Sequence, residues 1–139
     1  MTRALHVADE VAEALRHGQP VVALETTLVS HGFSAGRGLD VALDAERAVR
    51  AAGATPATIG VLDGTIRVGL SAAELGRFAE AGPAARKAGA RDLAACVMQG
   101  ALGATTVGGT LAAIHMMTNP SRILRSWSST RPGKSSPAE

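Results

Sequence analysis

The chain has 139 residues, of which 46% are hydrophobic and 19% charged, which is typical of one folded domain and not of a disordered chain. Only 2% are aromatic, which argues against modules that bind nucleic acid by stacking bases on aromatic side chains. Residues 119–139 carry a net charge of +3, whereas residues 1–118 carry −1 and offer no basic stripe for a phosphate backbone. We therefore predict no nucleic-acid partner.

The first half of the chain alternates helical and strand patterns. Apolar residues at helical spacing predict a helix over residues 4–17, which ends at a Gly-Gln-Pro sequence. A short apolar run between turn residues predicts a buried strand over residues 21–24. A glycine-rich loop follows over residues 26–38, and helical spacing returns over residues 39–52. The N-terminal segment lacks the apolar stretch of a signal peptide.

The second half continues this alternation. Residues 57–62 and 65–68 are two predicted strands joined by a tight Asp-Gly turn, so they form a hairpin. A Ser-Ala-Ala-Glu sequence at residues 71–74 is a capping box that opens a further helix. A third apolar run covers residues 93–98, and helical spacing resumes over residues 110–117. Helices that alternate with short apolar strands predict an α/β fold built around a layered sheet.

The last part of the chain combines an uncharged segment with a polar tail. Residues 93–121 are long enough to cross a membrane, but four glycines, four threonines and a histidine interrupt them, so we predict no membrane span. The single cysteine, Cys96, cannot form an internal disulfide, which is typical of a cytoplasmic protein. The last 21 residues hold six serines and three prolines. We predict one domain over residues 1–118 and a disordered tail over residues 119–139.

Two charged residues are candidates for chemistry. Glu25 follows the first predicted strand, and α/β folds bind ligands at the carboxyl ends of strands. A partly buried carboxyl group there favours its neutral form and can act as a general acid, whereas the alternative is a carboxylate that faces solvent. Lys87 is one of two lysines against twelve arginines, and its compact ammonium suits a single phosphate or sugar oxygen. The alternative is a solvated charge in a basic patch.

Three other features have a chemical and a structural interpretation. The glycine-rich residues 103–110 precede a predicted helix, where backbone N–H groups can bind a phosphate, but they lack the ending of a nucleotide P-loop. Close packing of a strand and a helix is the alternative. His31 either orients a substrate oxygen or has a structural role. We expect Cys96 to be buried and inert, and no His, Cys or carboxylate has the spacing of metal ligands.

Several short motifs occur in one order along the chain. They are residues 22–27 with 30–32, residues 56–59 with 63–64 and 68–71, Lys87 with residues 91–93, and residues 103–107. Over about residues 5–113, the chain resembles the N-terminal part of the pseudouridine-5′-phosphate glycosidase family. The resemblance implies a three-layer α/β/α fold and a homotrimer. It also implies an enzyme of the glycosidase and carbon–oxygen lyase type, which uses manganese and reversibly converts pseudouridine 5′-phosphate into uracil and ribose 5-phosphate.

The resemblance also implies roles for three residues. Glu25 matches the acidic residue that protonates the ring-opening sugar or the leaving base. Lys87 matches a lysine that binds the substrate, and Val107 matches a position whose backbone contacts it.

The similarity is lost from Ile114 onward. In the family, the lysine that forms an imine with the sugar and the aspartate that holds the metal lie beyond this point, so no metal ligand is assigned in this chain. We therefore expect a C-terminally truncated or frameshifted family member. The alternative function is a non-catalytic, phosphosugar-binding remnant of the family.

Overall fold

The computed structural model describes residues 4–34 and 36–119. The strands are β1 (Leu5–Val7), β2 (Val21–Leu24), β3 (Thr55–Leu62), β4 (Thr65–Val68), β5 (Arg86–Ala88) and β6 (Gly103–Thr105). The helices are α1 (Asp9–Arg16), α2 (Thr27–His31), α3 (Arg37–Ala51), α4 (Ala72–Ala81), α5 (Leu93–Gln99) and α6 (Val107–Thr118). The predicted tail lies outside the described residues from residue 120 onward.

The strands form one mixed sheet centred on β3. The order is β1-β4-β3-β6-β5, and β2 pairs with the first half of β3. β3 is antiparallel to β4 and β6 and parallel to β2, whereas β1 is parallel to β4 and β5 is parallel to β6. Seven of the eight residues of β3 are buried, which is the pattern of a central strand covered on both faces.

Helices cover both faces of the sheet and create two apolar cores. The first core packs α1, α5 and α6 against one face of β3, including Ile59 and Val61. The second packs α2, α3 and α4 against the other face, with Phe78 and Ala104 among its buried residues. The two faces separate because successive side chains of a strand point in opposite directions. The predicted three-layer α/β/α fold is confirmed.

Two local predictions are confirmed at the hairpin and at α4. Asp63 and Gly64 have φ values of +50° and +72°, as the tight turn between β3 and β4 requires. Both carboxyl oxygens of Asp63 accept hydrogen bonds from Arg77, at 2.9 and 3.0 Å, and this lowers the pKa of Asp63. At the capping box, the Ser71 hydroxyl accepts from the Glu74 N–H, and the Glu74 carboxylate accepts from the Ser71 N–H.

The predictions are wrong for two N-terminal segments. The predicted helix over residues 4–17 begins only at Asp9, because Leu5–Val7 pair with β4 as strand β1. The predicted loop over residues 26–38 contains α2, whose Thr27 and Ser30 hydroxyl groups donate to the distant carbonyls of Ala104 and Phe78. Pairing and packing with distant residues thus override the local pattern.

The uncharged segment near the end of the described chain forms α5, β6 and α6. α6 has 12 residues. At 1.5 Å per residue it is about 18 Å long, against about 30 Å for the hydrocarbon core of a bilayer. Within residues 4–34 and 36–119, no helix is both long and apolar enough to cross a membrane.

Candidate functional site

The C-terminal ends of β2 and β6 meet in the middle of the sheet. β2 runs parallel to β3 as far as the pair Leu24 and Thr58, and β6 runs antiparallel to β3 from Val61 to Gly60. The two strands therefore approach each other from opposite directions and end beside Ile59. β5 runs parallel to β6, so its C-terminal end lies at the same place. Loops that leave three strands start from this junction.

Glu25 is the first residue after β2. Its side chain is partly buried. It forms no hydrogen bond or ion pair with any other residue in the described part of the chain, so its carboxyl group is available to a ligand. The residues that follow it are held firmly, because the Thr26 N–H donates to the Thr105 carbonyl and the Thr27 hydroxyl donates to the Ala104 carbonyl. The loop after β2 is thus bonded to the end of β6.

Lys87 is the central residue of β5 and is directly paired with Ala104. Its side chain is exposed. Ala104 also accepts the hydrogen bond of Thr27, so it lies between the Glu25 loop and Lys87. The structure therefore brings Glu25 and Lys87 to adjoining parts of one sheet.

Val107 is the first residue of α6, and its side chain is 64% exposed. The Thr106 hydroxyl caps the helix by accepting from the Gly109 N–H at 3.2 Å, while the Thr106 N–H donates to the Ala88 carbonyl at 3.1 Å. These bonds attach the start of α6 to the end of β5. The N–H of Gly109 is thus occupied by the cap, whereas that of Val107, at the first position of α6, has no partner within the helix and remains available to a ligand.

The sequence did not single out two buried threonines at this junction, Thr26 and Thr105, as candidate site residues. The hydroxyl groups of Thr26 and Thr105 both donate to the carbonyl of Ile59, at 2.9 and 2.6 Å. The Thr105 N–H in turn donates to the Thr26 hydroxyl at 2.7 Å. Both residues lie inside motifs of the family resemblance, but no local pattern indicates that they share one acceptor.

His31 and Cys96 are the other residues that the sequence singled out. His31 ends α2, and its Nε2 atom is buried without a hydrogen-bond partner among the described residues. The preceding Ser30 donates to the carbonyl of Phe78 in α4, so this turn contributes to packing. Cys96 is fully buried in the first core, and burial raises the pKa of its thiol, as expected for an inert residue.

The described residues do not fit the manganese ion that the resemblance implies. Within residues 4–34 and 36–119, no group of three or more His, Cys, Asp or Glu side chains could hold a metal ion. The carboxylate of Glu25 alone is not a metal centre, because such a site needs several ligands converging on one point. No chemical step is therefore assigned to a metal here.

A cavity of about 550 Å³ lies elsewhere, between α1, α3 and the start of α4. Its lining includes Glu10, Glu46 and Glu74, and all three of these carboxylates already have partners within the protein. Arg50 pairs with Glu10, and Thr58 donates to Glu46. None of the three predicted site residues lines this cavity.

A family model described as indigoidine synthase A like protein matches residues 10–118. This chain belongs to that family. The match begins at the second residue of α1 and ends at the last residue of α6.

Curated relatives of this chain are named pseudouridine-5′-phosphate glycosidase, the family that the sequence motifs resemble. The pseudouridine-5′-phosphate glycosidase of Rhodospirillum centenum is 54% identical over 112 residues, which cover 81% of this chain and 34% of that protein. The enzyme of the same name from Jannaschia sp. is 47% identical over 121 residues, which cover 84% of this chain and 40% of that protein. The predicted resemblance is confirmed. The chain spans between a third and two-fifths of the length of these relatives.

Two solved structures share the fold. The prealnumycin C-glycosynthase AlnA, in complex with ribulose 5-phosphate, has a TM-score of 0.72 and 40% identity, and covers 85% of this chain and 37% of its own. An indigoidine synthase A-like protein from Thermotoga maritima has a TM-score of 0.64 and 33% identity, and the match covers 76% of this chain and 34% of its own. Both likenesses support the α/β architecture of the family in this chain.

Proposed function

We propose that this chain forms part of an active site that reversibly cleaves the C–C glycosidic bond of pseudouridine 5′-phosphate, giving uracil and ribose 5-phosphate. The observation that carries the proposal is the meeting of three strand ends, which brings Glu25, Lys87 and Val107 to one region of the sheet. The name of the curated relatives supports this reaction. A C-glycosynthase of similar fold with ribulose 5-phosphate bound supports a phosphosugar as part of the substrate.

Glu25 is the proton donor in this proposal. When the bond between the sugar and C5 of uracil breaks, either the opening sugar ring or the leaving base must gain a proton. The Glu25 carboxyl group is not engaged by other described residues, so it is free to transfer a proton to a substrate atom within hydrogen-bond reach. Water then adds to C1 of the sugar to give ribose 5-phosphate, and the proton that this water loses returns to the carboxylate.

Lys87 and Val107 are the substrate-binding residues in this proposal. The exposed ammonium of Lys87 offers three donors to a phosphate or sugar oxygen. The backbone N–H of Val107 lies in the first turn of α6, where the positive end of the helix dipole favours an anionic or polar oxygen.

The remaining components are proposed to come from outside the described residues. Residues 4–34 and 36–119 contain no cluster of side chains that could hold manganese, and their one lysine, Lys87, has the binding role. We also propose a homotrimer located in the cytoplasm. Family resemblance supports the trimer, and the single cysteine supports a reducing compartment.

The proposed activity is tested by uracil release from pseudouridine 5′-phosphate with added manganese. We expect the purified protein to release uracil and Glu25→Gln to lower kcat by about 100-fold or more, because general acid catalysis contributes about 10²–10⁴-fold. Glu13→Gln, at an exposed site on α1, is the matched control and keeps the parent rate. Equal rates for Glu25→Gln and the parent contradict the role of Glu25. Phosphosugar binding without any turnover favours the non-catalytic alternative.

Lys87→Met tests the binding role separately. We expect the Kd for ribose 5-phosphate, measured by calorimetry, to rise about 10- to 100-fold, because a hydrogen bond to a charged group contributes about 1.5–3 kcal/mol. The control is Arg16→Met, which removes an exposed positive charge from α1. An unchanged Kd for Lys87→Met places the phosphosugar away from β5.

A further inference from the structure

We propose that Thr26 and Thr105 are positioning residues, which set the placement of Glu25 relative to the start of α6. The inference rests on the function proposed above. Both side chains are fully buried, so they do not contact a ligand themselves. Glu25 precedes Thr26 directly, and the loop that leads into α6 follows Thr105 directly.

The carbonyl oxygen of Ile59 is the hydrogen-bond acceptor that Thr26 and Thr105 share. β2 pairs with β3 only as far as Thr58, and β6 pairs with β3 only as far as Gly60. Ile59 therefore lies at the gap between the ends of β2 and β6. On this edge of β3, its carbonyl oxygen has no partner in a strand. A buried carbonyl without a donor costs about 1–3 kcal/mol. The hydroxyl groups of Thr26 and Thr105 satisfy its two lone pairs.

One arrangement of the hydroxyl hydrogens satisfies the whole network. The Thr26 and Thr105 hydroxyl oxygens are also 3.3 Å apart, a contact in which either could donate. Each hydroxyl has one hydrogen, and Thr26 and Thr105 both donate theirs to Ile59. Their oxygens are then free to accept: Thr26 accepts from the Thr105 N–H at 2.7 Å, and Thr105 accepts from the Thr110 hydroxyl at 3.0 Å. Every donor in this chain of bonds has an acceptor. The side chain of valine has the same shape as that of threonine but can make none of the hydroxyl bonds, whereas the backbone N–H of residue 105 is retained.

The network couples two segments that have no peptide connection nearby. The Thr26 N–H also donates to the Thr105 carbonyl at 3.2 Å, so the two residues are joined in both directions. Thr110 extends the network into the second turn of α6. The position of Glu25 is therefore set by the same carbonyl that sets the position of Val107. Misplacement of a catalytic group by about 1 Å can lower a rate by about 100-fold.

The first test compares kinetic constants of hydroxyl deletions. We expect Thr26→Val and Thr105→Val to lower kcat for uracil release by about 10- to 100-fold with a smaller change in KM. Thr105→Ser, which retains the hydroxyl, should restore kcat to within about threefold of the parent. Thr65→Val is the matched control, because it deletes the hydroxyl of another buried threonine, on β4 and away from the junction. The inference is overturned if serine rescues nothing, or if the control lowers kcat equally.

The second test does not depend on activity. Amide signals are recorded by nuclear magnetic resonance for the parent and the variants, and only signals across the junction are compared. We expect Thr26→Val to shift the Val107 signal and Thr105→Val to shift the Glu25 signal, whereas Thr65→Val shifts neither. Unmoved cross-junction signals overturn the inference. If the signals move but the parent releases no uracil, the proposed function fails and the coupling stands.

Discussion

Replacing Gly109 with alanine is expected to destabilise the domain by about 2–3 kcal/mol, the upper part of the range for overpacked sites. A Cβ atom at Gly109 would overlap the carbonyl oxygen of Ala88 and lie 3.2 Å from its carbon. These are main-chain atoms of β5, so they cannot rotate away as a side chain can. The close approach of α6 to β5 therefore requires glycine at this position.

The neighbouring glycine provides the control. A Cβ atom at Gly108 would have its nearest contact at 3.8 Å, with the Thr106 hydroxyl. Because alanine favours helices over glycine by about 0.5–1 kcal/mol, Gly108→Ala should leave stability unchanged or raise it slightly. Urea unfolding of both variants measures the difference. Equal midpoints would show that β5 can move, and Lys87 would then be held less firmly than the structure indicates.

Replacing Phe78 with alanine is expected to cost about 3–5 kcal/mol, the range for deleting a fully buried aromatic side chain. Phe78 is 0% exposed in the second core. Its ring lies against the main chain of β3, because a Cβ atom at Gly60 would be only 2.6 Å from the ring Cζ atom. Since a domain of this size is stable by about 5–15 kcal/mol, the loss is a large fraction of the total.

The matched control is Phe33, the other phenylalanine of the chain. Phe33 is 40% exposed, so its replacement by alanine should cost about 1 kcal/mol. The two variants are compared by the midpoint of urea unfolding. A cost for Phe78→Ala no larger than that for Phe33→Ala would contradict the placement of Phe78 at the centre of the second core.

Sequence patterns that involve residues close together along the chain correctly predicted the corresponding turn and helices. The Asp-Gly turn produced the hairpin of β3 and β4, and the capping box at residues 71–74 begins α4. Apolar spacing located α3 to within two residues at its start and one at its end. In each case the interacting groups are only a few residues apart, so the local sequence contains every partner that decides the conformation.

Elements with distant partners were missed. β1 has three residues and exists because it pairs with β4, far along the chain. β5 carries two charged residues out of three, which is not the pattern of a buried strand, and it forms by pairing with β6. Three residues are too few to establish a period of 2.0 or 3.6, so only the partner strand decides the conformation.

The same distinction between local sequence and distant partners applies to the candidate site. The sequence by itself determined which chemical groups are present, and the motifs singled out Glu25, Lys87 and Val107. Only the tertiary structure decided that the segments carrying them adjoin in one sheet, and that Thr26 and Thr105 share the carbonyl of Ile59. The bonds that create this junction join residues 33, 46 and 79 positions apart. Such bonds depend on strand order and register, which follow from packing the whole sheet and have no signal in any short segment.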